Sequence, residues 1–195
     1  MVQYIVAVRR QTWSVDDAMA FADVLMPDRF LEVKGLGIEV VARFHRQFTP
    51  RLLAHWKRWL ASDCSTNWAT TDAISGALIG RLLQRHPELV ETVRTWARHR
   101  NMWVRRAAAV SLVAAARRGD ALDAAYEVAA ALHPDPADLI HKAVGWLLRE
   151  AGKTDMPRLE RYLREHGPAI PRTTVRYALE KFPANKRRAL LAATK

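Results

Sequence analysis

Asn67-Trp68-Ala69-Thr70-Thr71-Asp72 reads as the capped start of a helix, and the fold follows from how often that kind of signal recurs. An asparagine side chain can accept the free N–H groups of a first helical turn. Apolar residues at helical period then carry the segment through Ile79 and Leu83 towards Arg85.

Upstream, Ser14 followed by Asp16 and Asp17 opens a helix that Pro27 closes. Pro27 begins a second, running through Phe30, Leu31, Val40, Val41 and Phe44. Gly35 and Gly37 within it either weaken that helix or mark close helix packing. Thr49-Pro50 is a cap followed by proline, starting a helix over Leu52 to Leu60. Downstream, His86-Pro87-Glu88 and Asn101 open further helices, and Gly119-Asp120 ends one and starts the next. Asp135-Pro136 repeats the cap-then-proline signal before a helix that Gly152 stops. Short helices follow from Thr154, Pro171 and Ala184, the last ending in a basic tail (Lys186, Arg187, Arg188, Lys195). No stretch alternates with a period of two between hairpin turns, so strands are not expected.

About ten helices on short loops predict antiparallel pairs. Helix-pair repeats of the HEAT type recur at roughly 40 residues. Trp68 and Arg106 are 38 residues apart, and Arg106 and Trp146 are 40 apart. If these are equivalent repeat positions they face the same way. The expected fold is all-α: helix pairs stacked as one HEAT-like superhelical solenoid, a single domain over residues 1–195 with a concave basic face.

Composition narrows the partners. Thirty-one Lys and Arg against twenty Asp and Glu leave a formal charge of +11, a strong attraction for polyanions. Nucleic acid leads, because no single basic amphipathic segment marks a membrane binder; a generically basic proteome would give the same sign. No apolar run has the length to span a bilayer. Met1 to Arg10 places its charge after the apolar run, unlike a secretory leader. A cytoplasmic, nucleoid-associated location and a monomer are expected. Cys64 is the sole cysteine and the seven histidines are scattered, so neither a disulfide nor a metal site is expected.

Three patterns of chemistry are missing: a glycine-rich phosphate loop, a nucleophile elbow, and a helix-hairpin-helix with a catalytic lysine. What remains is carboxylate, indole and arginine. At about 100° per residue Trp68, Asp72, Ile79 and Leu83 fall within about a 60° sector. That puts a carboxylate in a column of large apolar residues, at a cost unless something compensates. A helix-start acid favoured by the dipole, or paired with an arginine, is the plainer reading. In Lys142-Ala143-Val144-Gly145-Trp146-Leu147-Leu148-Arg149-Glu150, the stripe Ile140, Ala143, Val144, Leu147 and Ala151 is the core face. Trp146 points about 120° away from it, towards Lys142 and Arg149. It is either a binding-surface residue or one buried against a neighbouring pair. Arg105 and Arg106 sit near a helix start, where the dipole disfavours them. A bound phosphate or a nearby acid would reverse that; solvation is the alternative. Trp13, Trp56, Trp59 and Trp96 fit core spacing.

Asn67-Trp68-x-x-x-Asp72, Trp103-Val104-Arg105-Arg106 and Lys142-Ala143-x-Gly145-Trp146-x-Leu148-Arg149-Glu150 together resemble the DNA alkylation repair proteins built of HEAT-like repeats, the AlkD-type alkylpurine DNA glycosylases. The resemblance runs from about Pro27 to the C-terminus. It implies excision of N3- or N7-alkylated purines from duplex DNA, with no cofactor and with the lesion held in the duplex instead of flipped out. It makes Asp72 the catalytic carboxylate, with Trp68 and Trp146 flanking the deoxyribose. Arg105 or Arg106, with Arg106 favoured, would hold the backbone beside it, and Lys142 and Arg149 would add DNA contacts. The family usually carries a further helical pair ahead of the matching region, and Met1 to Trp13 is short for one. Two other readings stand beside the monofunctional glycosylase: a non-catalytic binder of damaged or branched DNA, and a scaffold for a protein partner.

Overall fold

The computed structural model describes residues 12–194; the Met1–Arg10 run and Lys195 of the basic tail lie outside them. Among the described residues the secondary structure is helical throughout, with no strand. The fold is all-α and HEAT-like, as the cap signals and the apolar period require. The chain divides into two compact units, Met1–His86 and Pro87–Lys195.

The first unit holds α1 (Val15–Leu25), α2 (Leu31–Arg43) and α3 (Arg51–Ala61). A last helical stretch joins α4 (Trp68–Ala73), a π-helical segment (Ile74–Ile79) and α5 (Gly80–Arg85) without a break. Ser14 closes a capping box with Asp17 at the start of α1. The second helix begins at Leu31, four residues later than Pro27 suggested, with Phe30 as its unassisted cap. Gly37 marks close packing: a Cβ there would stand 3.3 Å from the Ala22 backbone of α1. Gly35 faces open space. Around this pair the core gathers Trp56, Phe48, Met26 and Leu60, with Trp56 Nε1 donating to Met19 Sδ at 3.4 Å. Trp56 and Trp59 are buried as their spacing predicts, and so is Trp96 of the second unit.

The second unit holds α6 (Val90–Thr95), α7 (Met102–Val110), α8 (Val113–Arg118), α9 (Leu122–Leu132) and α10 (Asp138–Ala151). It continues with α11 (Met156–His166), α12 (Arg172–Ala178) and α13 (Ala184–Ala193). The central helix is α10, packed against α7, α8 and α9 and most extensively against α12. Ala107, Ala108 and Ala109 are fully buried, so α7 presents little more than backbone to its neighbours and the helices approach closely. Gly119, at φ 85°, ends α8 in the left-handed conformation that glycine adopts without strain. Asp135-Pro136 does not cap α10 directly. Asp135 accepts from the Ala137 N–H at 3.0 Å, and the helix starts at Asp138.

Among the described residues no helix is long and apolar enough to cross a membrane. No group of three or more His, Cys, Asp or Glu among them is placed to hold a metal ion.

Candidate functional site

In the first unit the site residues stand at the start of α4, and the local sequence fixes that start from three directions. Asn67 Oδ1 accepts the Thr70 N–H at 2.9 Å. The Thr71 hydroxyl donates to the Asn67 carbonyl at 2.9 Å and in turn accepts from Ser65 Oγ at 2.8 Å, both side chains being buried. Lys34 reaches across from α2, buried to 5% exposure, and its Nζ donates to the Cys64 carbonyl at 2.9 Å. A buried lysine whose ammonium is held by backbone carbonyls is costly to move. The segment leading into Asn67 is therefore clamped. Sequence reasoning missed Lys34, because a lysine within an amphipathic helix reads as solvated surface.

On this clamped start Trp68 is the first residue and Asp72 the fifth, one turn apart on one face. Trp68 is 56% exposed, while Asp72 is part-buried. The expected column with Ile79 and Leu83 does not form. Both of those side chains are buried at 4% or less, and Trp68 stands out in solvent. The cause is the π segment, in which the Gly80 N–H bonds back to Ser75 O, five residues earlier. Ser75 Oγ also donates to the Thr71 carbonyl at 2.6 Å, loosening the ordinary ladder at the point where the segment begins. One extra residue in the ladder rotates everything beyond it by about 100°. Asp72 is thus uncoupled from the core stripe that follows it.

In the second unit α7 and α10 pack against each other, with Arg105 and Arg106 on the first and Lys142, Trp146 and Arg149 spread along the second. Asn101 caps α7, accepting from the Trp103 N–H at 2.8 Å. The nearby acid is what offsets the dipole penalty at Arg105: its Nε donates to Asp135 Oδ2 at 2.5 Å, and its Nη1 donates to the carbonyls of His99 and Arg100. Arg106 is buried to 5% exposure and donates to the Leu139 carbonyl of α10. Lys142 pairs with Asp138 at 2.7 Å, one turn earlier on the same helix. That ammonium lowers the Asp138 carboxyl below its ordinary value, and the carboxylate raises Lys142 in return.

Arg149 lies between two carboxylates, its Nε on Glu150 Oε1 at 3.3 Å and its Nη1 on Glu180 of the α12 end. The Glu150 side chain is 1% exposed and also accepts from Arg117 Nε and Lys153 Nζ, each at 2.7 Å. Burial alone would raise the Glu150 carboxyl; the hydrogen bonds from Lys153 and Arg117 outweigh it and the net shift is downward. Trp146 is half-buried, between the two alternatives its projection allowed.

The residues set 38 and 40 positions apart fall at different places within their helices. Trp68, Arg106 and Trp146 are the first, fifth and ninth residues of their helices. Counted from the caps Asn67, Asn101 and Ala137, Asp72, Arg106 and Lys142 are each the fifth residue of their helices.

Comparison with known proteins bears on this arrangement. The family model described as "DNA alkylation repair enzyme" matches residues 3–182. A solved structure described as "Predicted DNA alkylation repair enzyme from Enterococcus faecalis" superposes with a TM-score of 0.79 at 17% identity. That match covers 89% of this chain and 79% of the other. Among curated proteins none matches.

Proposed function

The chain belongs to the DNA alkylation repair enzyme family, and from that premise we propose that it is a monofunctional DNA glycosylase for N3- and N7-alkylated purines in duplex DNA. The proposal treats the chain as a single HEAT-like-repeat domain acting as a monomer. The observation that carries it is the clamped start of α4. An indole exposed to 56% sits one turn before a part-buried carboxylate, on backbone immobilised by Asn67, the Ser65–Thr71 pair and Lys34. A rigidly held carboxylate beside an exposed aromatic face is what a cationic transition state requires.

The chemistry needs little else. Alkylation at N3 or N7 makes the purine cationic, so the C1′–N bond can break with its electron pair passing to a base that leaves neutral. Positive charge then grows on the deoxyribose ring. Asp72 stabilises it electrostatically, and Trp68 offers an electron-rich face to the same charge. A water oxygen bonds to C1′ and gives up a proton, which the Asp72 carboxylate accepts. The products are the free alkylpurine and an abasic site. This parallels glycoside hydrolysis with one carboxylate in place of two. No acid is needed for the leaving group, so the base can depart without being extracted into a pocket of its own. Trp146 of the second unit is half-buried, and its remaining ring face is available to DNA. Arg105, Arg106, Lys142 and Arg149 supply positive potential towards the backbone.

The test is release of free base from methylated duplex DNA, followed by chromatography of the soluble fraction. Enzyme-dependent appearance of 7-methylguanine or 3-methyladenine is the expected result. Salt-sensitive duplex binding with no base release would replace the glycosylase with a non-catalytic DNA binder.

A further inference from the structure

The cations that the motifs single out are largely committed within the protein. Arg105 is held by Asp135 and two carbonyls, Arg106 is buried on Leu139, and Arg149 lies between Glu150 and Glu180. A cation already paired gains less from a phosphate and releases fewer counterions on binding. The helix that lies closest to α10 offers groups that are not committed.

Gly145 is what brings that helix in. A Cβ on Gly145 would stand 2.4 Å from Tyr177 Cβ and 2.9 Å from the Thr174 carbonyl, so α12 lies directly against the α10 backbone. Thr174 Oγ1 fastens the approach with a 3.0 Å bond to the His141 carbonyl. Projecting α10 at 100° per residue puts Lys142 and Arg149 on its outward line. Trp146 lies about 40° to one side of Lys142 and Gly145 about 60° to the other. Tyr177, rooted over Gly145, therefore matches Trp146 across the Lys142–Arg149 strip, with an aromatic ring on each flank. Tyr177 is 38% exposed, although its neighbours Val175, Ala178 and Leu179 are buried. Beside it Arg176 is exposed, and among the described residues it has no ion pair or side-chain hydrogen bond.

We propose that α12 supplies a DNA-backbone contact, with the Tyr177 hydroxyl donating to one phosphate oxygen and the Arg176 guanidinium pairing with a neighbouring phosphate. Tyrosine and arginine are ordinary phosphate partners; Tyr177 stands beside the helix that carries Lys142 and Trp146, and Arg176 is its exposed neighbour on α12. The assignment rests on the DNA-acting reading above, and the experiment keeps the two apart. Affinity for a short undamaged duplex is measured by fluorescence anisotropy over a salt series for wild type, Tyr177→Phe and Arg176→Ala. Tyr177→Phe keeps the ring over Gly145 and removes only the donor. It is expected to weaken binding about tenfold while leaving the slope of log K against log salt unchanged. Arg176→Ala is expected to weaken binding and to flatten that slope by about 0.9, the effect of one lost phosphate neutralisation. Wild-type affinity in Tyr177→Phe, or a wild-type slope in Arg176→Ala, overturns the assignment while leaving the glycosylase reading in place. Failure of the wild type itself to bind duplex DNA would sink both.

Discussion

Gly145→Ala is a one-atom perturbation at the point where α10 and α12 meet. The added Cβ would sit 2.4 Å from Tyr177 Cβ, well inside an ordinary carbon–carbon contact of about 3.5–4.0 Å. Rotating a side chain cannot relieve this, because a Cβ is fixed by its backbone and the second neighbour is the Thr174 carbonyl at 2.9 Å. The helices must separate by about an ångström. That strains the Thr174–His141 hydrogen bond and opens space beside the buried Val175 and Ala178. Overpacking of this kind costs about 1–3 kcal/mol, and a clash on two sides belongs at the upper end. For a chain of this length each kcal/mol lowers Tm by about 2–4 °C, so a fall of about 6–12 °C is expected by calorimetry or circular dichroism. DNA affinity should fall with it, because Tyr177 moves away from the Lys142–Arg149 strip. A Gly145→Ala protein whose Tm lies within a degree of wild type would refute the close-packing argument and remove the reason for placing Tyr177 beside Trp146.

His133 gives a second expectation, in pH. Burial, with the neighbouring His166 charge, pushes its imidazole down to about 4, and its Nε2 meets the Tyr162 hydroxyl at 3.1 Å. The folded value is depressed below the ordinary 6.5, so the unfolded chain takes up the proton first. Stability is intact above pH 6.5 and declines by about 3 kcal/mol as pH falls to 4. Denaturant titrations should show that decline in wild type and lose most of it in His133→Gln; equal slopes would contradict the burial argument. Lys34→Met should leave two loop carbonyls short of a donor, at about 1–3 kcal/mol. Its sharper signature is faster amide exchange over residues 65–71 than over α1; unchanged exchange there would show that the clamp on α4 lies elsewhere.

What the sequence disclosed and what it withheld divide along a physical line. Ser14, Asn67 and Asn101 announced their helices because a cap is a contact between residues two or three apart, and each makes the expected bond. The burial of Trp56, Trp59 and Trp96 followed from period alone. The π segment did not, since no composition rule marks the place where Ser75 diverts the Thr71 carbonyl and re-phases the helix. Asp135 looked like a cap but is also the partner of Arg105, thirty residues earlier in the chain. Long-range pairing of that kind, like the burial of Lys34, depends on which helix packs against which, and short motifs do not encode it. The motif Gly145-Trp146 stood out for its tryptophan. The structure shows that the glycine is the more constrained of the two, because α12 occupies the space a side chain would need.

The central claim is that Asp72 carries the reaction, and the most direct measurement is base release from methylated duplex DNA by wild type beside Asp72→Asn. Asparagine preserves size and the helix while removing the negative charge that stabilises the sugar cation. The account predicts that Asp72→Asn binds the duplex and melts within a few degrees of wild type, yet releases 7-methylguanine or 3-methyladenine at least a hundredfold more slowly, about 2.7 kcal/mol of lost transition-state stabilisation. Release by Asp72→Asn at the wild-type rate would contradict it.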